Sequence, residues 1–334
     1  TLAVPDIGVR VCGTGSQAPS KVMTNADLEK VMDTSDEWIV QRTGIRERRL
    51  ATRENGESTL TMATSALRKA LDHARMSADE LDLVILATMT PEMPCPASSN
   101  RLVAAIGAGN AGGFDVSAAC CSFVFALNSA YALLRTGLYR TIGLVGADTL
   151  SKFMNYDDDG RSTAILFGDG AGAAILKVTD DTSKGLLAQQ MHSDGERWSD
   201  LYIPMIAADR REEEPDARLG TLQMNGRSVF RFAVSTFQEL IADTLDDAGL
   251  TPDDIDHYVC HQSNARILGA ARERFGIPEE KMCVNIDRYG NTVSASVPLV
   301  FDELMQQGRI KDGQRVMFVA FGGGLTWGSS LWQL

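Results

Sequence analysis

The sequence predicts an α/β protein built from two similar halves, in which mixed β-sheets are covered by helices. Two observations lead to this fold class: an internal repeat and a regular alternation of strand-like and helix-like runs. The repeat aligns Leu71–Leu86 without gaps on Leu245–Cys260. Both copies have the pattern of a helix end, a capped short turn and an apolar strand. The same supersecondary unit is therefore expected once in each half.

The elements after the repeat also correspond between the halves. A helix-like segment begins near Cys120 and ends at Gly137, and the segment Asn291–Gly308 matches it. Each half then adds an apolar strand followed by a glycine turn, Ile142–Ala147 in the first half and Val316–Gly324 in the second. The order of elements is therefore the same in both halves.

Three regions follow from this order. The N-terminal half covers 1–178 and is closed by the glycine-rich strand Phe167–Leu176. The acidic and less regular stretch 179–220, which includes Glu212–Pro215, is interpreted as the connection between the halves together with its surface loops. The C-terminal half covers 221–334.

Composition and charge exclude several classes of function. Hydrophobic residues make up 44% and charged residues 23% of the 334 residues, as in ordinary globular proteins. The formal net charge of −12 argues against nucleic acid as the main partner, although it is compatible with a local basic patch. No apolar run reaches membrane-spanning length, so no membrane is expected as a partner. Gly13–Gly15 follows a strand-like run without completing a dinucleotide-binding fingerprint, and we interpret it as a turn.

Cysteine usage indicates the compartment. The six cysteines show no metal-ligand spacing, and most of them lie in apolar, strand-like surroundings. This pattern is typical of free thiols in a reducing cytoplasm, without a metal site or a disulfide framework. We therefore expect a cytoplasmic protein.

Cys120 is the first candidate for a catalytic residue. The small residues Ser117, Ala118 and Ala119 lead to it, and a largely apolar helix-like run follows. Unpaired backbone N–H groups and the helix dipole at such a start favour a thiolate, which can attack a thioester and hold the acyl group. Free cysteine is also among the most buried residues, so this segment alone leaves a buried pair, Cys120 and Cys121, equally open.

Three later segments supply groups that a nucleophilic thiol needs. His261 closes a strand-like run, Asn291 follows a glycine turn, and the glycines 322–324 follow a strand. A glycine turn allows backbone N–H groups to approach a developing oxyanion. Taken singly, these are more often a core histidine, a simple turn and a loop. Their shared placement at the ends of strands favours one site.

Together these motifs resemble β-ketoacyl-acyl carrier protein synthase III, the initiating condensing enzyme of the thiolase superfamily. The resemblance implies a thiolase-like, five-layered α-β-α-β-α body in which the two central helices begin at positions like Cys120 and Asn291. Pseudo-symmetry between the halves would then bring both helix starts to one place. The motifs that carry the resemblance are, in order, Gly8–Gly15, Thr34–Arg48, Gly113–Gly137, Phe167–Ala173, His261–Asn264, Gly290–Thr292 and Phe321–Gly328.

The resemblance also implies a mechanism. Cys120 would take the acyl group of an acyl-CoA, with the oxyanion held by the backbone N–H groups of Cys120 and Gly323. Malonyl-acyl carrier protein would then lose carbon dioxide, and the resulting enolate would accept hydrogen bonds from His261 and Asn291. No metal or redox cofactor is required, because coenzyme A enters as the thioester substrate.

Binding residues are implied at matching positions. Trp38 and Arg161 would enclose the adenine of coenzyme A, with Arg42 near its phosphates. From the residues alone, Trp38 is more often a packing residue and each arginine a surface ion pair. The family further implies a homodimer. The remaining implied residues are Gly226 and Asn264 on the pantetheine arm, Phe230 at the tunnel mouth, and Arg231, Arg266 and Arg274 for docking an acidic carrier protein.

The chain departs from the family pattern at two places. Cys121 and Ser122 follow the nucleophile where the family usually has Ala-Gly. Cys95 stands where the bacterial type enzyme has a Phe that limits the acyl pocket across the dimer interface. We therefore expect a wider acyl pocket, near Met89, unless Met89 or Met93 refills the space.

Two rival functions are weighed against this interpretation. One is a specialised relative, either a starter-unit synthase for a polyketide or quinolone-type product or an acyltransferase that does not condense. Asn291 counts against a pure acyltransferase, because a second enolate donor serves only condensation. The other is a catalytically silent partner subunit, which would be expected to lose Cys120.

Overall fold

The computed structural model describes residues 5–334, and strands and helices alternate along it as predicted. The strands are β1 Gly8–Gln17, β2 Lys21–Thr24, β3 Glu47–Leu50, β4 Leu83–Ala87, β5 Gly112–Val116, β6 Thr141–Asp148, β7 Gly170–Thr179, β8 Gly185–Ser193, β9 Leu201–Tyr202, β10 Gln223–Met224, β11 His257–Cys260, β12 Arg315–Gly322 and β13 Thr326–Gln333. The α-helices are α1 Asn25–Leu28, α2 Asp36–Thr43, α3 Thr59–Ala74, α4 Ser98–Ile106, α5 Ser122–Arg135, α6 Arg161–Ala164, α7 Gly226–Ala248, α8 Ala265–Phe275, α9 Ile286–Tyr289 and α10 Ser296–Gln306.

Two mixed sheets have the same internal plan. The first has the order β1-β7-β6-β4-β5, and the second has the order β11-β12-β13-β8. In each sheet the neighbouring parallel strands, β4 with β6 and β11 with β12, are extended by antiparallel strands. A single parallel bridge between Tyr258 and Met282 occupies the place that β5 has in the first sheet. The two halves are thus pseudo-symmetric.

The elements form five layers, α-β-α-β-α. Helices α5 and α10 lie between the two sheets and share one apolar core with their inner faces. Helices α3 and α4 cover the outer face of the first sheet, and α7 and α8 cover that of the second. Strand β12 illustrates the alternation, because Val316 and Phe318 point to the central core while Met317 and Val319 point to the outer one.

The register of the repeat corrects one expected match. β4 and β11, α5 and α10, and β6 and β12 all begin 174 residues apart, at Leu83 and His257, Ser122 and Ser296, and Thr141 and Arg315. With this spacing the counterpart of Cys120 is Ser294. Helix α10 does not begin at Asn291, because a short 3₁₀ turn, Val293–Ala295, precedes its first residue.

Two local expectations also differ from the structure. β8 pairs with β13, so the second sheet extends back to Gly185, within the stretch that we assigned to the connection. Gly13 and Gly15 lie inside β1 rather than in a turn. A Cβ on either residue would lie within 2.5 Å of the backbone of α3, so these glycines let the helix pack closely on the strand. Across residues 5–334, no helix combines the length and apolarity that crossing a bilayer requires.

Candidate active site

Two cavities meet at Cys120. The first has a volume of about 500 Å³ and the second about 720 Å³, and both are lined by Cys120, Phe167 and Leu201. The second also includes Met89 and Gly323. The predicted residues that line the first cavity are Trp38, Arg42, Cys120, Gly226, Phe230, Arg231, His261, Asn264, Arg266 and Asn291.

A strained turn presents Cys120 at the start of α5. The turn is a short 3₁₀ helix, Ala119–Cys121, that runs directly into the helix, and Ala119 adopts a positive φ of 48°. The Ser122 hydroxyl accepts a hydrogen bond from the Ala118 N–H at 2.7 Å and donates one to the Ala119 carbonyl at 2.7 Å. Ser122, which replaces the glycine usual in the family, therefore holds this turn in place.

The two adjacent thiols lie in different surroundings. Cys120 lines both cavities, whereas Cys121 belongs to the apolar core between the sheets. Burial raises the pKa of Cys121 to about 12. It also raises the pKa of Cys120 well above its usual range, reinforced by the nearby Cys121 and Asp148. Burial therefore opposes the thiolate that the helix start favours, because desolvation destabilises the charged form.

His261 follows directly after β11, and its backbone N–H donates to the Val319 carbonyl at 2.8 Å. Its ring meets Phe321 edge-to-face at 5.6 Å between centroids, and its Nδ1 is buried without a hydrogen-bond partner among residues 5–334. Burial lowers the pKa of His261 to about 3. The imidazole is therefore neutral at physiological pH and can serve as a hydrogen-bond donor through one ring nitrogen.

Asn291 is clamped by the chain around Phe167. Its backbone N–H donates to Leu166 at 2.8 Å, and its carbonyl accepts from Gly168 at 2.9 Å. Its side-chain Oδ1 accepts from the Val293 N–H at 2.9 Å, which leaves the amide NH₂ available to the cavity. Gly290 precedes it with a φ of 65°, and a Cβ there would lie 2.7 Å from the Leu166 carbonyl oxygen.

The glycine turn after β12 lies against the nucleophile. A Cβ at Gly322 would lie 2.8 Å from the Cys120 backbone nitrogen and 2.9 Å from its Cβ. Gly323 follows and lines the second cavity. The two segments that carry the predicted oxyanion donors are therefore in direct contact.

The outer part of the first cavity is rich in arginine. Both Arg42 and Arg161 stack on Trp38, with their Cζ atoms 4.7 and 5.4 Å from the ring centroid. Arg161 also donates to the Asp33 carbonyl at 2.6 Å, and it lies beyond the cavity lining itself. The Asn264 amide donates to the Arg42 carbonyl at 3.0 Å, which connects the start of α8 to α2.

The predicted docking arginines divide into two groups. Arg231 and Arg266 are exposed at the mouth, and the Cζ of Arg266 lies 5.3 Å from the Phe230 ring centroid. Arg274 lies away from the cavity and donates to Gln238 at 2.9 Å. Arg227, in the first turn of α7, also lines the mouth, although sequence reasoning did not single it out.

The second cavity lies on the side of Cys120 away from the arginines. It reaches the surface at Trp198 and Met205, which are 47% and 62% exposed. Met89 lines this cavity, whereas Cys95 is exposed and lies outside both cavities. The expected role of Cys95 concerns a partner subunit.

A buried carboxylate connects the two halves beside the site. Asp148, at the end of β6, accepts hydrogen bonds from Thr88, Met89 and Thr90 through Oδ1 at 2.8 to 3.0 Å. Its Oδ2 accepts from the Ser294 N–H at 3.0 Å and from the Ser294 hydroxyl. Sequence reasoning missed this network, since the aspartate and its partners stand far apart along the chain.

Comparison with known proteins identifies the family. A model described as 3-oxoacyl-[acyl-carrier-protein] synthase III matches residues 114–195, and its C-terminal counterpart matches 245–334. The chain is 44% identical over 327 residues to the β-ketoacyl-[acyl-carrier-protein] synthase III of Erythrobacter litoralis, covering 97% of this chain and 99% of that relative. It is also 44% identical to the Clostridioides difficile synthase III, covering 96% of this chain and 97% of the relative.

Solved structures agree with this result. The synthase III of Aquifex aeolicus superposes with a TM-score of 0.90 at 39% identity, covering 98% of this chain and all of the other. The priming β-ketosynthase of the R1128 polyketide pathway superposes with a TM-score of 0.91 at 36% identity, covering all of this chain and 98% of the other. The chain therefore belongs to the β-ketoacyl-[acyl-carrier-protein] synthase III family of condensing acyltransferases, which have the thiolase fold.

Proposed function

We propose that this protein catalyses the initiating condensation of fatty acid biosynthesis. It loads an acyl group from acyl-CoA onto Cys120 and joins it to malonyl-acyl carrier protein, releasing CoA and carbon dioxide. The observation that carries this proposal is the position of Cys120 where two cavities meet, with His261 and Asn291 in the cavity on the arginine side. One cavity serves the carrier arm and the other serves the acyl chain.

In the loading step, the Cys120 sulfur attacks the thioester carbonyl carbon of acyl-CoA. The C–S bond to coenzyme A breaks, and the proton of the buried thiol ends on the departing CoA sulfur. Backbone N–H groups of Cys120 and Gly323 hold the oxyanion of the tetrahedral intermediate. A single oxyanion donor typically contributes about 10²- to 10³-fold in rate.

In the condensation step, malonyl-acyl carrier protein loses carbon dioxide, and the enolate carbon attacks the acyl-Cys120 carbonyl. The C–S bond to Cys120 then breaks, which releases 3-oxoacyl-acyl carrier protein and leaves the Cys120 thiolate, which takes up one proton from solvent to restore the thiol. The low pKa of His261 supports a role as a neutral hydrogen-bond donor to the enolate oxygen. The Asn291 amide supplies a second donor that does not titrate.

The remaining partners follow from the same site. Trp38, Arg42 and Arg161 bind the nucleotide end of coenzyme A, Gly226, Phe230 and Asn264 line the path of the pantetheine arm, and Arg231, Arg266 and Arg274 attract the acidic carrier protein. These steps use no metal or redox cofactor, since the thiol and neutral donors supply the chemistry.

We further propose a homodimer that works in the cytoplasm. β5 is an edge strand of the first sheet, and Phe114 on it is 38% exposed, which suits pairing with a second copy. The free thiols suit a reducing compartment.

A specialised starter-unit synthase is the second candidate. The likeness to the R1128 priming β-ketosynthase favours it, and so does the size of the second cavity. The two candidates share the loading chemistry and differ in the primer and in the carrier protein that accepts the product.

Intact-protein mass spectrometry tests the proposal. The protein is incubated with acetyl-, butyryl-, isobutyryl- and octanoyl-CoA, and then with malonyl-acyl carrier protein. We expect the mass of one acyl group on the protein, followed by its transfer and the appearance of the 3-oxoacyl product. Cys120→Ala is the matched control that cannot hold the acyl group. Absence of any acyl adduct, or an adduct that malonyl-acyl carrier protein never discharges, would contradict the proposed function.

A further inference from the structure

A buried hydroxyl connects the two chain segments that carry the proposed oxyanion donors. Thr326, the first residue of β13, is 8% exposed. Its Oγ1 donates to the Ala118 carbonyl at 3.1 Å and to the Gly323 carbonyl at 3.1 Å. A threonine hydroxyl has a single hydrogen, so both carbonyls share the same donor.

The two carbonyls stand next to the proposed donors along the chain. Ala118 lies two residues before Cys120, and the second carbonyl belongs to Gly323 itself. A planar peptide unit joins each carbonyl to the N–H of the next residue, so the Thr326 hydroxyl holds the Ala118–Ala119 and Gly323–Gly324 units. Each of these units adjoins the unit that carries a proposed donor N–H group. The close contact between Gly322 and Cys120 brings both segments together, and the Thr326 hydroxyl is hydrogen-bonded to both of them.

The Thr326 side chain also lies beside Cys121, the second of the two adjacent thiols. Burial raises the pKa of the Cys121 thiol to about 12, and hydrogen bonding with the Thr326 side chain partly lowers it again. Cys121, the residue that distinguishes this chain from the usual alanine, therefore packs against the same hydroxyl.

We propose that Thr326 is a positioning residue for the oxyanion hole of this enzyme. It lines the second cavity, and it acts on the reaction by holding the Cys120 and Gly323 N–H groups in one orientation. Loading and condensation both pass through a tetrahedral oxyanion and depend on Thr326. Decarboxylation of the malonyl thioester depends on the enolate donors His261 and Asn291 and not on Thr326. This inference rests on the proposed function.

The test compares Thr326→Val, which removes the hydroxyl and keeps the branched shape, with Thr326→Ser, which keeps the hydroxyl. Single-turnover acyl loading is measured over a range of acyl-CoA concentrations, and malonyl thioester decarboxylation is measured without a primer. For Thr326→Val we expect the maximal loading rate to fall about 10- to 100-fold, less than for complete loss of a donor. The half-saturating acyl-CoA concentration and the decarboxylation rate should stay within about twofold, and Thr326→Ser should load within about threefold of the unmodified protein.

Three results would overturn the inference. Thr326→Val could load at the unmodified rate, it could lose loading and decarboxylation equally, or Thr326→Ser could be as slow as Thr326→Val. Thr326→Ala supplies a second variant without the hydroxyl if valine disturbs folding. Failure of the unmodified protein to load any acyl-CoA would instead contradict the proposed function, so the two failures are distinguishable.

Discussion

The same 3₁₀ turn occurs at the start of both central helices. In the first half its middle residue faces the cavities, and in the second half its middle residue is buried. In the first half the turn Ala119–Cys121 leads into α5, and in the second half Val293–Ala295 leads into α10. Each turn begins with a residue of positive φ, 48° at Ala119 and 56° at Val293. A β-branched residue in this region is strained, which shows how firmly the surrounding structure fixes both turns.

The middle residues of the two turns have different surroundings. Cys120 lines two cavities, whereas Ser294 is fully buried. Its single hydroxyl hydrogen is shared between Asp148 and the Ala87 carbonyl, which lies 2.9 Å from Oγ. The strands opposite explain the difference. β6 ends in Asp148, which binds Ser294, while β12 ends in its counterpart Gly322, which meets Cys120 without a side chain. In the second half the Ser294 hydroxyl is therefore hydrogen-bonded, whereas in the first half the Cys120 thiol remains free to react.

The largest effect is expected when the reactive copy is altered. Cys120→Ser should abolish acyl-enzyme formation, since a hydroxyl is a far weaker nucleophile than a thiol without a strong base beside it. Cys121→Ala, the adjacent control, should retain acylation, because Cys121 lies in the core between the sheets. Intact-mass measurement after incubation with acyl-CoA checks both. An adduct on Cys120→Ser that disappears in Cys121→Ala would reverse the assignment.

The next largest effect is expected when the two enolate donors, His261 and Asn291, are removed and the nucleophile is kept. His261→Ala and Asn291→Ala should each slow malonyl decarboxylation about 10²- to 10³-fold, because each removes a donor to the enolate oxygen. Acyl loading should change by less than about tenfold. Single-turnover loading and release of carbon dioxide are compared for both variants. Equal losses in the two steps would show that the roles are misassigned.

A substitution at Gly322 tests whether the absence of a side chain there keeps Cys120 in its reactive position. Gly322→Ala places a Cβ 2.8 Å from the Cys120 nitrogen and should slow acyl loading roughly 10- to 100-fold by displacing the turn. The matched control is Gly269→Ala in α8, where a Cβ meets nothing within 4 Å. Rates of acyl-enzyme formation are compared at saturating acyl-CoA. Unchanged loading in Gly322→Ala would mean that the close contact has no part in positioning Cys120.

A substitution at Ser294 tests how much the hydrogen-bonded turn of the second half contributes to stability. Ser294→Ala leaves Asp148 one donor short and should lower the free energy of unfolding by about 2 kcal/mol. Acyl loading by the folded variant should remain. Ser183→Ala is the control, since Ser183 donates to Asp181 in an exposed pair and should cost less than about 0.5 kcal/mol. Urea unfolding measures both, and a stability equal to that of the unmodified protein would show that the Asp148 network does not depend on this hydroxyl.

The repeat explains what the sequence could predict. Strand and helix periodicity, together with the match of Leu71–Leu86 on Leu245–Cys260, predicted two similar halves. The pairing of Cys120 with Asn291 was wrong by three residues, because α10 ends earlier than α5 and the glycines after the helices, Gly137 and Gly308, are not equivalent. A match anchored on these glycines shifts the helix start by one turn.

Other features could not be predicted, since they depend on contacts between distant segments. Asp148 with Ser294, and Thr326 with Ala118, join residues 146 and 208 positions apart. The resting state of Cys120 also depended on burial, which opposes the helix-start effect that the local sequence suggested. The local sequence pattern was enough to locate the reactive residues. Their pKa values and the hydrogen bonds that hold them depend on contacts between the two halves.

The smallest expected effect concerns the primer. Cys95 replaces an aromatic ring at a position that, by resemblance, faces the acyl pocket of a partner subunit, and the cavity of about 720 Å³ beyond Cys120 has room for a longer chain. Each methylene buried there contributes roughly 0.8 kcal/mol, or about fourfold in binding. Loading of butyryl-, isobutyryl- or octanoyl-CoA should therefore exceed that of acetyl-CoA, and Cys95→Phe should shift the preference toward acetyl. Met89→Phe, which narrows the cavity from within the same subunit, is the matched control.

A steep preference for acetyl in the unmodified protein would contradict the open pocket. A shift with Met89→Phe but none with Cys95→Phe would mean that the pocket is formed by one subunit alone.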